Sequence, residues 1–423
     1  MSSIDLRGCA ISGATPASLA AYEHALAKWQ AWRLDDTAAL ETAAREAPAF
    51  VMAHALAAWQ LVCSRDLRHV DAARPLVARA LRLPANDRER LHLAALSSVL
   101  ADDFEGAKVQ LGRALKRSPR DAVALQVAHW FDHVTGDVAH MRRRIAKALP
   151  AWSRDDPGYH ALLAMHAFAL EESGRYARAE DAARDALELN PLDARACHVM
   201  AHVFEMTDRA EAGVRWMSEH ASVWATRSSV VTHGWWHVAL FHLAHGETQR
   251  ALALYDTHVR GDRSGELSDL IDASALLWRI ALFGGHAGAR WSELAEAWST
   301  HIDDGYCSFT DAHAMLAFVG ANDRDRARRL EAHLLRSQPL RTRYGQTTRK
   351  LGLPACRALV AFGCGDDALA IKLLAGLPAI AYRLGGSHAQ RDVLHLTLQH
   401  AVQRSRRSAC RTRPALARLA VQL

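Results

Sequence analysis

The stretch PGYHALLAMHAFALEESGRYARAEDAARDALELNP, Pro157 to Pro191, decides the fold. With His160 as position 1, Gly174 falls at 15, Tyr176 at 17, Ala179, Ala183 and Ala186 at 20, 24 and 27, and Pro191 at 32. This predicts a helix, a tight turn at the glycine, and a second helix whose small alanines let the pair touch, with a proline closing the unit. Upstream, Asp102, Phe104, Ala107, Leu111, Ala114 and Pro119 occupy the same positions. Gly136, Asp208 and Gly246 continue the turn column, so frames of roughly 34 residues, the tetratricopeptide period, begin at Arg88, Ala122, His160, Ala194 and Thr232. The expected fold is all-α, a tetratricopeptide-repeat superhelix of the α-solenoid kind.

Outward from these frames the pattern continues less regularly. Residues 16–47 predict an opening helical pair, with Asp36 and Thr37 as N-cap candidates and Pro48 as the stop. Residues 49–83 predict another hairpin, packed through Val70, Ala73, Val77 and Ala80. After Gly261 the period loosens, yet helical hairpins resume, and no strand-type alternation is seen. The chain therefore divides into N-terminal hairpins over 1–87, regular repeats over 88–260 and degenerate repeats over 261–423, in one continuous solenoid. Roughly ten hairpins are expected; as such a superhelix closes a turn in about eight, the ends are expected to curl into a near-closed ring.

Composition narrows the classes. No apolar run reaches the length of about 20 residues that spans a bilayer, and MSSIDLRGCAISGATPASL lacks a signal-peptide core, so a cytoplasmic protein without a membrane partner is expected. Seven scattered cysteines without CxxC spacing argue against a disulfide framework or zinc ribbon. The net charge of +6 is mild, and the one dense basic run, Arg404 to Arg413, has no interleaved aromatics, so a nucleic-acid partner is not expected. No P-loop, GxGxxG or GxSxG motif is present, which excludes the common motif-bearing enzymes. Oligomeric state leaves no mark on the sequence.

The repeat phase says which side chains face the groove, chiefly positions 2, 5, 9 and 12 of each first helix. Reading them frame by frame gives His92 in the first, His133 in the second, Phe168 and Glu171 in the third, Arg195, His198, His202 and Glu205 in the fourth, and His233 and Trp236 in the fifth. In HVMAHVFE, His198, His202 and Glu205 lie at i, i+4 and i+7, one face of a helix. Two imidazoles and a carboxylate there suit a divalent transition metal with open positions, or an acid/base pair without metal; imidazoles serving structure or touching a ligand are the plainer alternative. His129 with His133 and His233 with His237 are further i, i+4 pairs, but the phase turns His129 and His237 toward neighbouring helices, where burial and hydrogen bonding are expected. Trp236 is positioned to floor a pocket, and Trp235 to pack in the core. Farther on, Asp272 and Arg279 share a helix face, for a salt bridge or a polar ligand. His313 in DAHAM, and His388 with Arg391 in GGSHAQRD, stand at helix starts, where capping competes with an anion contact.

The segments Pro157–Pro191, His198–Met217, His233–Asp256, Asp272–Arg279, Asp311–Ala321 and Gly385–Asp392 together resemble the tetratricopeptide repeat protein 38 family, including its bacterial members. The resemblance covers nearly the whole chain and implies a tetratricopeptide superhelix; it implies no particular reaction. Where a typical relative has HNWWH this chain has HGWWH, so Gly234 removes a side chain at the expected mouth of the site.

Two functions follow as expectations. The first is a binding protein whose groove captures a small molecule or peptide through His92, His133, Glu171, Trp236, Asp272, Arg279, His313, His388 and Arg391 around the histidine face. The second is an enzyme working through His198, His202, Glu205 and His233, by acid/base or metal-assisted chemistry on a small metabolite. A divalent transition metal held by His198, His202 and Glu205 is the only cofactor the residues suggest.

Overall fold

One left-handed residue sets each hairpin turn. Asp102, Gly136, Gly174, Asp208 and Gly246, the five residues of the turn column, have φ of 58°, 71°, 69°, 55° and 73° in the computed structural model. That conformation reverses the chain at a helix C-terminus and lets the next amide bond back to a carbonyl five residues earlier. Arg175 N donates to Leu170 O at 2.9 Å, Arg209 N to Phe204 O at 2.9 Å and Glu247 N to His242 O at 2.9 Å. The same device recurs beyond the regular frames at Gly284, Asn322 and Gly365. An aspartate often follows and caps the second helix: Asp103, Asp137, Asp323 and Asp366 each accept from a backbone amide of the new first turn.

The structure describes residues 3–34 and 38–420, with side chains as far as Arg407. Asp36 and Thr37, the expected caps, lie outside the described residues, as do the side chains of the later part of the basic run. Within that run Arg404 pairs with Asp367 at 2.5 Å and lies 3.8 Å over the Phe362 ring, so it fastens the last helix.

The chain is all-helical, helices packing chiefly on their sequence neighbours as an α-solenoid requires, and it forms two compact units, Met1–Asp262 and Arg263–Leu423. Among the described residues no helix is long and apolar enough to cross a membrane. In the first unit the frames become the pairs Asp87–Leu100 with Phe104–Arg117, Ala122–Val134 with Val138–Ala148, Tyr159–Glu171 with Tyr176–Leu189, Ala194–Met206 with Ala210–Glu219, and Val231–Ala244 with Thr248–Leu254. Ala107, Leu111, Ala114, Ala179, Ala183 and Ala186 are fully buried, consistent with their place at helix contacts. The second unit holds Leu267–Leu282 with Arg290–Trp298, Ser308–Gly320 with Arg324–Ser337, Leu353–Gly363 with Asp367–Leu374, and the last helix His388–Ala420.

Two features of the first unit do not follow from the repeat pattern. Ser3–Ile4 and Ala10–Ile11 form a small antiparallel strand pair, held by the buried Asp5 carboxylate accepting from Arg7 N and Cys9 N at 2.9 and 2.8 Å. The second is a strap. After the helix Pro16–Gln30, residues 31–34 run past the starts of two first helices, Ala194–Met206 and Val231–Ala244, instead of turning directly into the next hairpin. Ala31 O accepts from Ala194 N at 3.1 Å, Trp32 O from Ser229 N at 3.0 Å, and Leu34 N donates to Arg227 O at 2.8 Å. Arg33 donates to Val223 O at 2.6 Å. Trp32 sits in the left-handed region at φ 57°, a conformation costly for a bulky side chain and held here by the bonds on either side.

Candidate functional site

The helix Ala194–Met206 begins at Asp193, whose carboxylate accepts from Ala196 N at 3.0 Å, and this start fixes the helical phase. His198 and His202 then emerge one turn apart. The helix Val231–Ala244 projects His233 and His237 in the same way. The two pairs face each other. Ring centroids are 4.5 Å apart for His198 and His202, 4.8 Å for His233 and His237, 4.9 Å for His198 and His233, and 4.6 Å for His202 and His237. One nitrogen from each of the four rings lies within 4.8 Å of the other three. The Nε2 atoms of His198 and His202 are 3.0 Å apart.

Aromatic rings wall this group. Trp236 is fully buried and stacks on His233 with centroids 5.0 Å apart and planes 12° apart. Phe168 stands edge-on to His202 at 5.8 Å, and Trp32 from the strap lies 5.4 Å from His198. The Arg195 guanidinium lies over Trp32 at 4.9 Å, and its burial draws its pKa down to about 10. Burial first, then the charges that the neighbouring imidazoles would carry, hold His198 well below the ordinary histidine value. Both effects favour the neutral imidazole. Among the four, His233 is the one only half-buried, and marks the side toward solvent.

The expected site residues divide into three groups. His198, His202 and His233 come together as the phase predicts. Glu205, expected beside them as a ligand, stands one step out: its Oε2 accepts from His237 Nδ1 at 2.9 Å, and His237 completes the group of four. His237 is indeed buried and hydrogen-bonded, but it also turns a nitrogen into the cluster. Positions 2 and 6 of a helix share a face just as positions 2 and 5 do, and that spacing was the signal for His237. Nearby, His133 meets Phe168 edge-on at 5.1 Å, and Glu171 is fully buried on the same helix as Phe168.

His92 belongs to a different group. Its Nε2 meets Asp121 Oδ2 at 2.8 Å, its Nδ1 accepts from Trp59 Nε1 at 3.2 Å, and Arg88 joins the same carboxylate at 2.9 Å. Burial opposes the Asp121 charge, but His92 and Arg88 outweigh it and hold the carboxyl well below its usual range. As Asp121 also caps its own helix through Ala124 N, this is a clasp between successive hairpins. Asp193 repeats the clasp with His160 at 2.6 Å. His129 likewise bonds Met165 O at 3.0 Å, and burial pulls it down to about 3.

Asp272, Arg279, His313, His388 and Arg391 lie in the second unit. Arg279 pairs with Asp392 and bonds Ala389 O, while Asp272 accepts from Gln390 Nε2 at 3.5 Å. His313 Nδ1 bonds Phe309 O at 2.8 Å. His313 and Arg391 line an apolar recess with Phe309, Leu359 and Leu384, with room for roughly one water molecule. In GGSHAQRD, Gly385 and Gly386 have φ of 79° and 84°, and Ser387 and Gln390 cap each other reciprocally; Arg391 donates to Gly386 O, and His388 is half-buried at the helix start.

One contributor had no local signal, and one expected position lies elsewhere. Trp32 reaches His198 only through the strap, a contact that periodicity does not encode. Gly234 is buried against the Trp224 ring, and a Cβ there would fall well inside van der Waals contact with it, so the absent side chain answers to core packing. No protein-family model matches the sequence.

Proposed function

We propose that the chain is a binding protein of the tetratricopeptide-solenoid kind, which captures a small molecule at the histidine cluster of its first unit. One observation carries this reading: four imidazoles from two successive first helices converge among buried residues, with aromatic walls from Phe168, Trp236 and Trp32. A structural core at this point would be filled more stably by apolar side chains, because buried polar groups cost free energy unless fully satisfied. Flat walls with a few convergent polar nitrogens are the composition of a small-molecule site. The strap crossing the helix starts favours a small molecule over an extended peptide, since Trp32 occupies the space beside His198. The left-handed turn column and the buried alanines at fixed positions support the repeat assignment.

Native mass spectrometry of protein purified without a polyhistidine tag tests this. The expected result is an organic mass released on denaturation and absent from His198→Ala and His233→Ala, with far-UV circular dichroism unchanged. Preparations that carry no organic mass from any source refute it. The Glu205–His237 pair favours a second reading as an enzyme, because a carboxylate on Nδ1 orients an imidazole and raises the basicity of its Nε2. Under that reading, fresh protein consumes the released molecule on incubation.

A further inference from the structure

We infer that His198, His202, His233 and His237 form a binding site for one divalent late first-row transition metal, with Glu205 holding His237 in place from outside the ligand set. The inference rests on the reading of the cluster as a binding site and names what anchors the ligand there.

Distances set the first condition. Metal–imidazole bonds of about 2.0–2.1 Å put two nitrogens on one ion about 3.0 Å apart at right angles, about 3.4 Å apart in a tetrahedron and about 4.2 Å apart when opposed. The His198 and His202 Nε2 atoms, 3.0 Å apart, already meet the right-angle value. The other nitrogens, all within 4.8 Å of one another, reach the remaining values by small ring rotations about χ2, a soft torsion for histidine.

The second condition is the arrangement of the helices. Two i, i+4 pairs on adjacent helices offer four donors from rigid scaffolding, so the ligands are gathered before the ion arrives. The third is the outer shell. A ligating histidine usually gives its other ring nitrogen to a carboxylate, and His237 Nδ1 with Glu205 Oε2 at 2.9 Å has that form. The bond puts the proton on Nδ1 and directs the Nε2 lone pair inward.

Donor chemistry then selects the ion. Four imidazoles with no inner carboxylate suit zinc, copper, nickel, cobalt or iron and disfavour magnesium and calcium, which want oxygen. With His233 on the half-buried side, a bound small molecule would approach the ion from there. Three other buried histidines of the first unit serve different partners: His54 bonds Pro48 O at 3.0 Å, His92 bonds Asp121, and His129 bonds Met165 O; His133 packs on Phe168 beside the cluster.

The test uses full-length tag-free protein, stripped with a chelator and titrated with Co(II), then Zn(II). Expected are one equivalent of Co(II) with visible d–d absorption, displaced by Zn(II). His202→Ala and His237→Ala should lose binding by more than about 100-fold, and Glu205→Gln should keep one equivalent but bind about 10–100-fold more weakly. His129→Ala, a buried histidine outside the cluster, should bind as wild type does. If the histidine variants unfold by circular dichroism, Glu205→Gln with the wild-type spectrum decides alone. Less than a tenth of an equivalent in wild type, or unchanged affinity in folded His202→Ala, His237→Ala or Glu205→Gln, overturns the inference. An organic mass lost in His198→Ala from a protein that takes no metal would sink the metal site and leave the small-molecule reading standing. Metal uptake without any organic mass would do the reverse.

Discussion

Asp311, in the first turn of the helix Ser308–Gly320, carries a buried carboxyl group whose proton should make the second unit more stable in mild acid. Burial pushes its pKa up to about 7; the Tyr344 hydroxyl, donating to Oδ2 at 2.9 Å, opposes the rise, and the charge on Asp304 adds to it. Cys356 faces the same residue and is itself driven upward by burial, so it stays a thiol throughout. An unfolded aspartate titrates near about 3.9, and each unit of difference is about 1.4 kcal/mol. Between about pH 4 and 7 the folded chain keeps a proton that the unfolded chain releases, so stability declines as pH rises through that window and levels off above it. From pH 5 to pH 8 the loss comes to about 3 kcal/mol. In Asp311→Asn the amide carbonyl still accepts from Tyr344, and the titration is gone. The assay is denaturant unfolding followed by far-UV circular dichroism and total tryptophan fluorescence, for both proteins, at intervals from pH 5 to 8. The quantity read is wild type minus variant, which cancels the buried histidines elsewhere. It should fall by about 3 kcal/mol across the range; a difference constant to about 0.5 kcal/mol would refute the placement of Asp311 as a buried acid.

Further outcomes are expected. Gly234→Ala drives a methyl into the Trp224 ring and should cost about 1–3 kcal/mol by thermal unfolding; a neutral result would mean that the ring is not packed there. Gly174 has φ 69° and no atom within 4 Å of the place a Cβ would take, so Gly174→Ala isolates the backbone term and should cost about 1–2 kcal/mol, while Asp208→Gly, at φ 55°, should raise the melting temperature. Asp121→Ala leaves Arg88 and His92 buried without their carboxylate and should cost about 3–5 kcal/mol in denaturant titrations, with Asp121→Asn between. Chelation of a zinc-loaded preparation should lower the melting temperature, since zinc held at about 100 times its dissociation constant adds about 2.7 kcal/mol; an identical melt with and without chelator would argue against zinc in the cluster.

Much of the helical register was legible because it is written locally. A residue tolerant of positive φ, small residues at fixed offsets and a closing proline all act within one hairpin; five consecutive frames share the first of these, and the frames from Arg88 and His160 carry all three. Three of the four clustered histidines were legible for the same reason: groove positions follow from the 3.6-residue turn once the frame is set. Glu205 and His237 show where that reasoning stops. Helix phase gives the direction in which a side chain leaves the backbone, but the twist between adjacent helices decides which of two neighbouring positions reaches the shared space. His92 looked like a groove residue by phase, yet the N-cap aspartate of the next helix claims it. Trp32 was illegible because its partners lie far along the chain, and the strand pair at Ser3–Ile4 because two-residue strands are too short for alternation to register.

The strap has a consequence for how the protein comes to be made. Hairpin arrays ordinarily assemble each unit against the one before, so folding can keep pace with translation. Here Arg33 closes on Val223 O across 190 residues, and Ala31 supplies the carbonyl that receives the first amide of the helix Ala194–Met206. Residues 31–34 are synthesised before their partners and can dock only after the fourth hairpin and the residues that follow it, as far as Ser229, have left the ribosome. Until then His198, which Trp32 comes to lie against, is open on that side, so the last step of folding is also the one that closes over the imidazoles.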